Sequence, residues 1–210
     1  MPIQWGVDAF EVEMLRESIQ RFAISHHDSP IRLTAVESNY YCNLRLLSLH
    51  PNFASSIGKL LAPAVIRMRP DAVGGKESGA IPVTAALTAA ARDMGAVIPS
   101  FFVRRESKTH GLKEEKTISA SVADDGGPLL RPGCRVVLIE DTVTTASSLL
   151  YTAEIVRGEG AEVVGVATVV ERHERGGDRI RESGVPFVRL FYTDENGAVR
   201  VDEELHKRVR

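Results

Sequence analysis

The sequence has few of the residues that mark secreted, metal-binding or membrane proteins. It holds 2 cysteines in 210 residues, Cys42 and Cys134, which are too far apart to form a zinc-binding pair or a disulfide framework. No apolar run reaches the length of about 18 residues needed to span a membrane, and the first residues do not have the pattern of a signal peptide. We therefore expect a cytoplasmic protein that is neither exported nor inserted in a membrane.

The chain also lacks an excess of either charge. Its 26 Lys and Arg residues are balanced by 28 Asp and Glu residues, which gives a net charge of −2. Because proteins that bind nucleic acid usually carry a basic surplus, no nucleic-acid partner is expected, and any anion site must be local. With 43% hydrophobic residues the composition is globular. We expect a single domain over residues 1–210, in which residues 1 to about 50 form an N-terminal helix and a small hood.

The first part of the chain predicts two helices separated by a hairpin. Asp8 is a suitable N-cap, Glu11 follows at capping-box spacing, and apolar residues recur at helical spacing at Val12, Leu15, Ile19 and Phe22. Residues 31–47 have the alternation and the aromatic content of short strands. Pro51 then suits the first turn of a helix that runs towards Met68.

From Asp71 to Leu190 short β-branched runs alternate with Ala-rich or amphipathic segments. This pattern predicts βαβ units, and hence an α/β fold with a doubly wound, mostly parallel sheet in addition to the small hood. Helices are predicted from Pro82 to Met94 and from Ser147 to Arg157, each ended by glycine. The predicted strands are residues 72–74, 97–103, 135–139, 163–169 and 186–190.

Two acids and a hydroxyl-rich turn follow the third of these strands. Glu140 and Asp141 end the apolar run, and the turn that opens the next helix contains Thr144, Thr145, Ala146, Ser147 and Ser148. Ligands of doubly wound sheets bind at the carboxyl ends of strands, and a helix start offers N–H groups to phosphate. Because carboxylates accept hydrogen bonds from sugar hydroxyls, the segment indicates a ligand with both ribose and phosphate. The alternative is a turn whose Thr and Ser side chains merely cap the helix.

This segment resembles the signature with which type I phosphoribosyltransferases bind phosphoribosyl pyrophosphate (PRPP). The resemblance implies that Glu140 and Asp141 hold the ribose hydroxyls, with Asp141 part of the catalytic set, and that residues 144–148 hold the 5-phosphate. Ala146 stands where the family usually has glycine, so a positive φ there would be strained. Two other phosphate-binding patterns, G-x-x-x-x-G-K-S/T and G-x-G-x-x-G after a strand, do not occur.

A second segment, residues 101–113, passes from an apolar strand into a run of basic residues. On its own, such a run is most simply a solvated loop. It resembles the catalytic loop of orotate phosphoribosyltransferases, which implies that Lys108 is the catalytic lysine and that Arg104, Arg105 and His110 also bind PRPP. Cations suit this role, because the departing pyrophosphate gains negative charge. The resemblance also implies a homodimer with shared active sites and Mg²⁺ that is carried by PRPP, with no direct side-chain ligand.

Two more segments fit the pyrophosphate and base parts of this site. Residues 74–82 resemble the family's pyrophosphate loop, in which Lys76 would neutralise a phosphate, although a plain glycine-rich turn fits equally well. Arg172 follows another apolar strand and matches the arginine that contacts the carboxylate of orotate. Thr144 is also assigned to the base side of the pocket.

The hood matches the family less completely. Tyr40 and Tyr41 match two aromatic residues that would stack on the base, although packing on the sheet is an equally natural role. Val36 replaces a lysine that helps to hold base and PRPP, which leaves the identity of the base open.

The predicted function is therefore transfer of the ribose 5-phosphate of PRPP to orotate, giving orotidine 5-monophosphate and pyrophosphate. Two alternatives remain: a phosphoribosyltransferase for another base, and a catalytically silent regulator that senses PRPP. Lys108 and His110, which a sensor need not keep, favour an enzyme. So does the absence of a basic helix-turn-helix segment in the first thirty residues.

Overall fold

The computed structural model describes residues 8–33, 36–104, 118–123 and 125–207. In this part of the chain a seven-stranded sheet is flanked by helices, and a two-stranded sheet lies beside it. The helices are α1 (Ala9–Ser18), continued by one π-helical turn (Ile19–Ala23), α2 (Arg45–Ser48), α3 (Pro51–Arg67), α4 (Ala80–Asp93), α5 (Ser147–Gly158), α6 (Gly176–Glu182) and α7 (Glu203–His206). The strands are β1 (Ile24–Leu33), β2 (Val36–Cys42), β3 (Ala72–Lys76), β4 (Ser100–Val103), β5 (Ile118–Ala120), β6 (Arg135–Val143), β7 (Glu162–Glu171), β8 (Phe187–Thr193) and β9 (Val199–Val201).

Helix α1 begins as the sequence predicts. The side chain of Asp8 accepts a hydrogen bond from the backbone N–H of Phe10 at 2.9 Å. Glu11 does not close a capping box, because its carboxylate accepts instead from the hydroxyl of Ser56 on α3 at 2.7 Å. The predicted apolar face is buried as far as Ile19, whereas Phe22 is 49% exposed. Phe22 lies in the π-helical turn, whose wider spacing changes the helical register.

The predicted hairpin is present, with different bounds. Strands β1 and β2 pair antiparallel, and the pairing starts at Ile24 with Cys42 rather than at residue 31. Residues 45–47, which were predicted to belong to the hairpin layer, lie in the short helix α2 instead. We call the β1–β2 pair the hood.

The central sheet has the strand order β5-β4-β3-β6-β7-β8-β9. The five inner strands are parallel to one another, and they correspond to the five strands predicted from the sequence. The fourth strand of the chain begins at Ser100 rather than at residue 97, since Val97 is exposed. The edge strands β5 and β9 pair antiparallel and were not predicted, because each has only 3 residues.

Alternation along the inner strands separates the core into two layers. Val73, Val137 and Ile139 face α3 and α4, where they pack with residues such as Leu61 and Leu87. Their neighbours in sequence, including Val136 and Leu138, face α5 and α6 and pack with Leu149, Val156 and Ile180. Both faces of the sheet are therefore covered, as expected for a doubly wound fold.

The strand order reverses between β3 and β6. The chain moves from β3 to β4 on one side and then returns to place β6 on the other side of β3. In open α/β sheets this switch point creates a crevice at the carboxyl ends of the strands. Among the helices that the structure describes, none is both long and apolar enough to cross a membrane.

Candidate active site

A cavity of about 1000 Å³ opens at this switch point. Its floor is made by the carboxyl ends of β3 and β6, and the hood forms one wall. The side chains that line it come from five parts of the chain: Arg32, Leu33, Tyr41, Cys42, Asn43 and Arg45; Lys76, Glu77, Ser78 and Gly79; Glu140, Asp141, Thr142 and Val143; Thr144, Thr145, Ala146, Ser147, Ser148, Leu149 and Tyr151; and Arg172.

The two acids at the end of β6 start from opposite faces of the strand, but their carboxyl groups meet and are hydrogen-bonded to one another. Glu140 continues the row that faces α5, and its carboxylate is hydrogen-bonded to the hydroxyl of Ser148 at the start of that helix. Asp141 continues the row that faces the hood and α4, and it accepts from the backbone N–H of Thr142 at 2.7 Å. The two carboxyl groups therefore border the cavity together.

Burial of these acids raises the cost of their negative charge. The pKa of Glu140 is raised to about 8, first because the carboxyl is buried and second because Asp141 carries like charge beside it. Burial also raises the pKa of Asp141, against the hydrogen bond from Thr142. Neither acid has an Arg or Lys ion-pair partner among the described residues. Such a pair is suited to a ligand that brings hydroxyl donors or a cation.

Asp141 also depends on a close approach by the loop after β3. A Cβ atom at Gly79 would lie 2.5 Å from the carboxylate of Asp141, so any other residue at this position would displace the acid. The glycine-rich stretch that the sequence indicated as a pyrophosphate loop thus has a second role, which is to leave room for Asp141.

The turn between β6 and α5 has the form of a phosphate cradle. The hydroxyls of Thr145 and Ser147 lie 2.9 Å apart, and the first residues of α5, where a helix has free N–H groups, line the cavity. Ala146 takes the left-handed conformation at φ 62° and ψ 7°. The sequence predicted strain here if φ were positive, and the structure places alanine in that region.

Helix α6 supports this turn from behind, which the sequence did not reveal. A Cβ atom at Gly176 would lie 2.5 Å from the carbonyl oxygen of Thr144, and the N–H of Gly176 donates to that oxygen at 2.9 Å. Arg179 donates to the carbonyl of Thr145 at 2.8 Å. Gly176 and Arg179 therefore hold the cradle in place from α6.

Lys76 ends β3 and lines the cavity, as the pyrophosphate-loop prediction requires. Its ammonium group lies 4.6 Å from the ring centre of Tyr151 on α5. An aromatic face attracts a cation at this distance and limits the positions that the lysine samples. Tyr151 was not predicted, because nothing in a helical pattern distinguishes a surface tyrosine from one that contacts a lysine on another element.

The two tyrosines of the hood have different surroundings. Tyr41 lines the cavity. Tyr40 is 1% exposed, and its hydroxyl is hydrogen-bonded to Thr193 at 2.7 Å and to His173 at 3.0 Å. Since the ring of Tyr40 lies under the guanidinium of Arg172, we replace its predicted stacking on a base with a supporting role for that arginine.

At the open end of the hood, residues other than Val36 line the cavity, although position 36 matches the family's lysine. Val36 pairs with Leu33 and does not itself line the cavity, whereas Leu33 and Arg32 do. Arg45, on α2, also lines the cavity, beyond the other end of β2, and acts on Asp141 through its positive charge. Two arginines that the sequence did not single out thus bring positive charge to a cavity where the family's lysine is missing.

The catalytic-loop prediction lies mostly outside the described residues. Arg105, Lys108 and His110 fall there, so their predicted roles stay predictions. Arg104 ends the segment after β4; its guanidinium donates to the hydroxyl of Ser119 on β5 at 2.8 Å, and it does not line the cavity. The predicted contact of Arg104 with PRPP therefore stays a prediction.

This fold and this site define a known class of protein. The chain belongs to the phosphoribosyl transferase domain family, whose sequence pattern matches residues 47–185. The match spans helix α3, the strands β3, β4, β6 and β7 and the cradle, which build most of the cavity, but not the hood or β8.

Among its relatives are orotate phosphoribosyltransferases. That of Streptomyces coelicolor is 38% identical over 165 residues, covering 78% of this chain and 85% of the relative. That of Aquifex aeolicus is 35% identical over 187 residues, covering 88% and 97%.

Solved structures agree with this assignment of fold. Mycobacterium tuberculosis orotate phosphoribosyltransferase in complex with PRPP has a TM-score of 0.69 and 27% identity, covering 91% of this chain and 94% of the other. Adenine phosphoribosyl transferase from Trypanosoma brucei, at 18% identity, has a TM-score of 0.62 and shares the fold alone. The fold therefore accommodates more than one base, and the choice of base depends on the residues of the cavity.

Proposed function

We propose that the protein transfers the ribose 5-phosphate of PRPP to orotate, giving orotidine 5-monophosphate and pyrophosphate. The observation that carries the proposal is that one cavity is bordered by the acids Glu140 and Asp141, the cradle at residues 144–148 and the buried Arg172. Relatives that are 34–38% identical and are named orotate phosphoribosyltransferase support orotate as the base.

The parts of PRPP match the parts of the cavity. Glu140 and Asp141 accept hydrogen bonds from the ribose hydroxyls, which favours their charged forms and offsets the cost of burial. The cradle, with the start of α5, binds the 5-phosphate through hydroxyl and backbone N–H groups. Lys76 lies where it neutralises part of the pyrophosphate.

The protein promotes the reaction by aligning the reactants and by stabilising charge. A base nitrogen forms a bond to C1 of the ribose while the bond from C1 to the pyrophosphate oxygen breaks. Holding the two reactants in line lowers the barrier, and cations stabilise the departing anion. We assign the second task to Lys108, with Arg105 and His110, on the sequence pattern of their loop.

Mg²⁺ fits this site as an ion carried by PRPP. Magnesium in phosphate-binding sites is usually held by one or two carboxylates and by phosphate oxygens rather than by an all-protein cage. In this proposal Glu140 and Asp141 accept the ribose hydroxyls and do not ligate the ion, whose donors are the phosphate oxygens of PRPP. When bound, Mg²⁺ supplies positive charge to the leaving pyrophosphate.

A pyrophosphate-release assay tests the proposal. Purified protein is mixed with Mg²⁺, PRPP and a panel of bases that includes orotate, uracil and adenine, and binding of PRPP is measured in parallel by calorimetry. Orotate-dependent release is the expected result. Release with another base while orotate is inert would replace the substrate, and PRPP binding without release for any base would favour the sensing alternative.

We also propose that the active form is a homodimer in which Lys108 acts in the partner's cavity. The position of Arg104 outside this cavity supports the proposal, because the loop that follows it starts away from the site. Lys108→Ala and Asp141→Asn variants should each be nearly inactive and should regain activity when mixed, since one site of a mixed dimer is intact. Mixtures that stay inactive after verified subunit exchange would place the loop in its own subunit.

We further propose that residues 1–210 form one domain. In support, α1 and the hood contribute to the same buried cluster as α3, α4 and the inner strands. Limited proteolysis should then give no stable fragment that lacks residues 1–50.

A further inference from the structure

A buried ion pair holds the arginine at the base side of the cavity. Arg172 directly follows β7, and its backbone N–H donates to the carbonyl of Val143, at the end of β6, at 2.8 Å. Its side chain is 2% exposed, and the guanidinium lies 4.2 Å from the ring centre of Tyr40. Glu174, two residues later, is also largely buried and faces the same guanidinium.

Most of the hydrogen-bonding capacity of Arg172 is used inside the protein. Its Nε donates to one carboxylate oxygen of Glu174 at 3.2 Å, and its Nη2 donates to the other at 2.9 Å. Nη2 also donates to the hydroxyl of Ser38 at 2.7 Å, and Nη1 donates to the carbonyl of Tyr40 at 3.3 Å. A guanidinium has five N–H groups, so these contacts with described residues leave one N–H, on Nη1.

This count changes how the arginine can recognise a ligand. A two-pronged contact with a carboxylate needs two N–H groups on one edge of the guanidinium. The edge formed by Nε and Nη2 is already occupied by Glu174, and both N–H groups of Nη2 are used. Arg172 can therefore offer a ligand a single N–H, on Nη1.

We propose that Glu174 is a positioning residue that holds Arg172 so that it presents one N–H of Nη1 to one oxygen atom of the base. The inference rests on the proposed function for the identity of the base. The inference goes beyond that function in two ways. It names the residue that orients the contact, and it replaces a two-pronged contact with the base carboxylate by a single hydrogen bond. The remaining charge of the base carboxylate is then left to the other arginines that line the cavity, Arg32 and Arg45.

Steady-state kinetics of Glu174→Gln tests the proposal. The amide keeps one acceptor but turns an N–H group towards the guanidinium, so Arg172 loses its fixed direction. We expect KM for orotate to rise about tenfold or more, the range of one charge-assisted hydrogen bond, with PRPP affinity unchanged. Glu174→Asp, which keeps the charge, should recover part of the loss. Unchanged or lower KM for orotate in Glu174→Gln would overturn the proposal, and lower KM would identify Glu174 as a competitor of the substrate.

The matched control is Glu182→Gln, the same change at an exposed position of α6, which should leave KM unchanged. If Glu174→Gln does not fold, Glu174→Asp gives the same comparison, because its shorter side chain withdraws the carboxylate. Its KM for orotate should then exceed that of the wild type.

A second measurement does not depend on the proposed function. The Nε–H resonance of Arg172, identified by its absence in Arg172→Lys, should exchange slowly with solvent in the wild type and faster in the Glu174 variants. Equal exchange would overturn the positioning role. A wild type that does not use orotate but shows the protected resonance would reject the proposed function and keep the role of Glu174.

Discussion

The two halves of the cavity differ in whether their charged groups have partners in the protein before a ligand binds. On the PRPP side, Glu140 and Asp141 are buried beside each other, with raised pKa values and no ion-pair partner among the described residues. On the base side, Arg172 has an ion pair with Glu174, and three of its nitrogens donate to protein groups.

The difference indicates that the base side is formed by folding alone, whereas the PRPP side is completed only when a ligand binds. The base side is held by contacts between β7, the hood and β8, so its geometry is set by folding. The PRPP side is set in position by β6 and Gly79 but gains its electrostatic balance only from hydroxyl groups and cations of a ligand. Substitutions on the two sides should therefore affect stability and binding in opposite ways.

The largest effect is expected from removing an acceptor on the PRPP side. Asp141→Asn should weaken PRPP binding about tenfold or more, because charge-assisted hydrogen bonds are worth roughly 1.5–3 kcal/mol. Titration calorimetry with Mg²⁺ and PRPP measures this change. Asp93→Asn, at the exposed end of α4, is the matched control. Undiminished affinity in Asp141→Asn would remove the ribose role from this acid.

A smaller effect concerns stability without ligand. The pKa of Glu140 is raised from 4.5 to about 8 in the folded protein. The folded state therefore binds a proton more tightly than the unfolded state, so this contribution is fully present below pH 4.5 and is lost as pH rises through about 8.

Glu140→Gln tests this pH dependence, because glutamine stays neutral. Urea unfolding at pH 5.5 and 8 should show that the wild type loses at least about 1 kcal/mol more than Glu140→Gln over this interval. The exposed Glu154→Gln on α5 should behave like the wild type. If the free energy of unfolding falls equally in the wild type and in Glu140→Gln, the pKa of Glu140 is not raised as predicted.

The smallest effect is expected at the cradle. In Ala146→Gly, relief of the left-handed conformation, worth about 1 kcal/mol, is offset by the loss of a buried methyl group worth about 0.8 kcal/mol. Glycine's greater freedom in the unfolded chain costs roughly a further 0.5–1 kcal/mol, so the free energy of unfolding should fall by less than about 1 kcal/mol. Chemical denaturation measures it, and a gain instead of a fall would show that the cradle stores strain.

The sequence predicted the fold and the PRPP side better than the base side, for a physical reason. Glu140, Asp141 and the cradle are contiguous, so one strand and one helix start determine their arrangement. Two periodic patterns were enough to place them at the end of β6.

The base side is built from residues that are distant in sequence. Glu174, Ser38 and Tyr40 meet Arg172 only through the packing of the hood on the sheet, and no spacing rule brings position 38 to position 172. The same holds for Tyr151 beside Lys76 and for Arg45 beside Asp141. Val36 shows the opposite case. The missing lysine was taken to affect the choice of base, but position 36 does not line the cavity.

Hydrogen exchange of backbone amides, followed by mass spectrometry with and without Mg²⁺ and PRPP, tests the comparison most directly. Free N–H groups of the cradle gain acceptors from the 5-phosphate, whereas those of the base side already have protein partners. The account predicts slower exchange in peptides that cover residues 144–150 and no change in those that cover 36–42 and 171–175. Equal slowing on both sides, or none at residues 144–150, would contradict it.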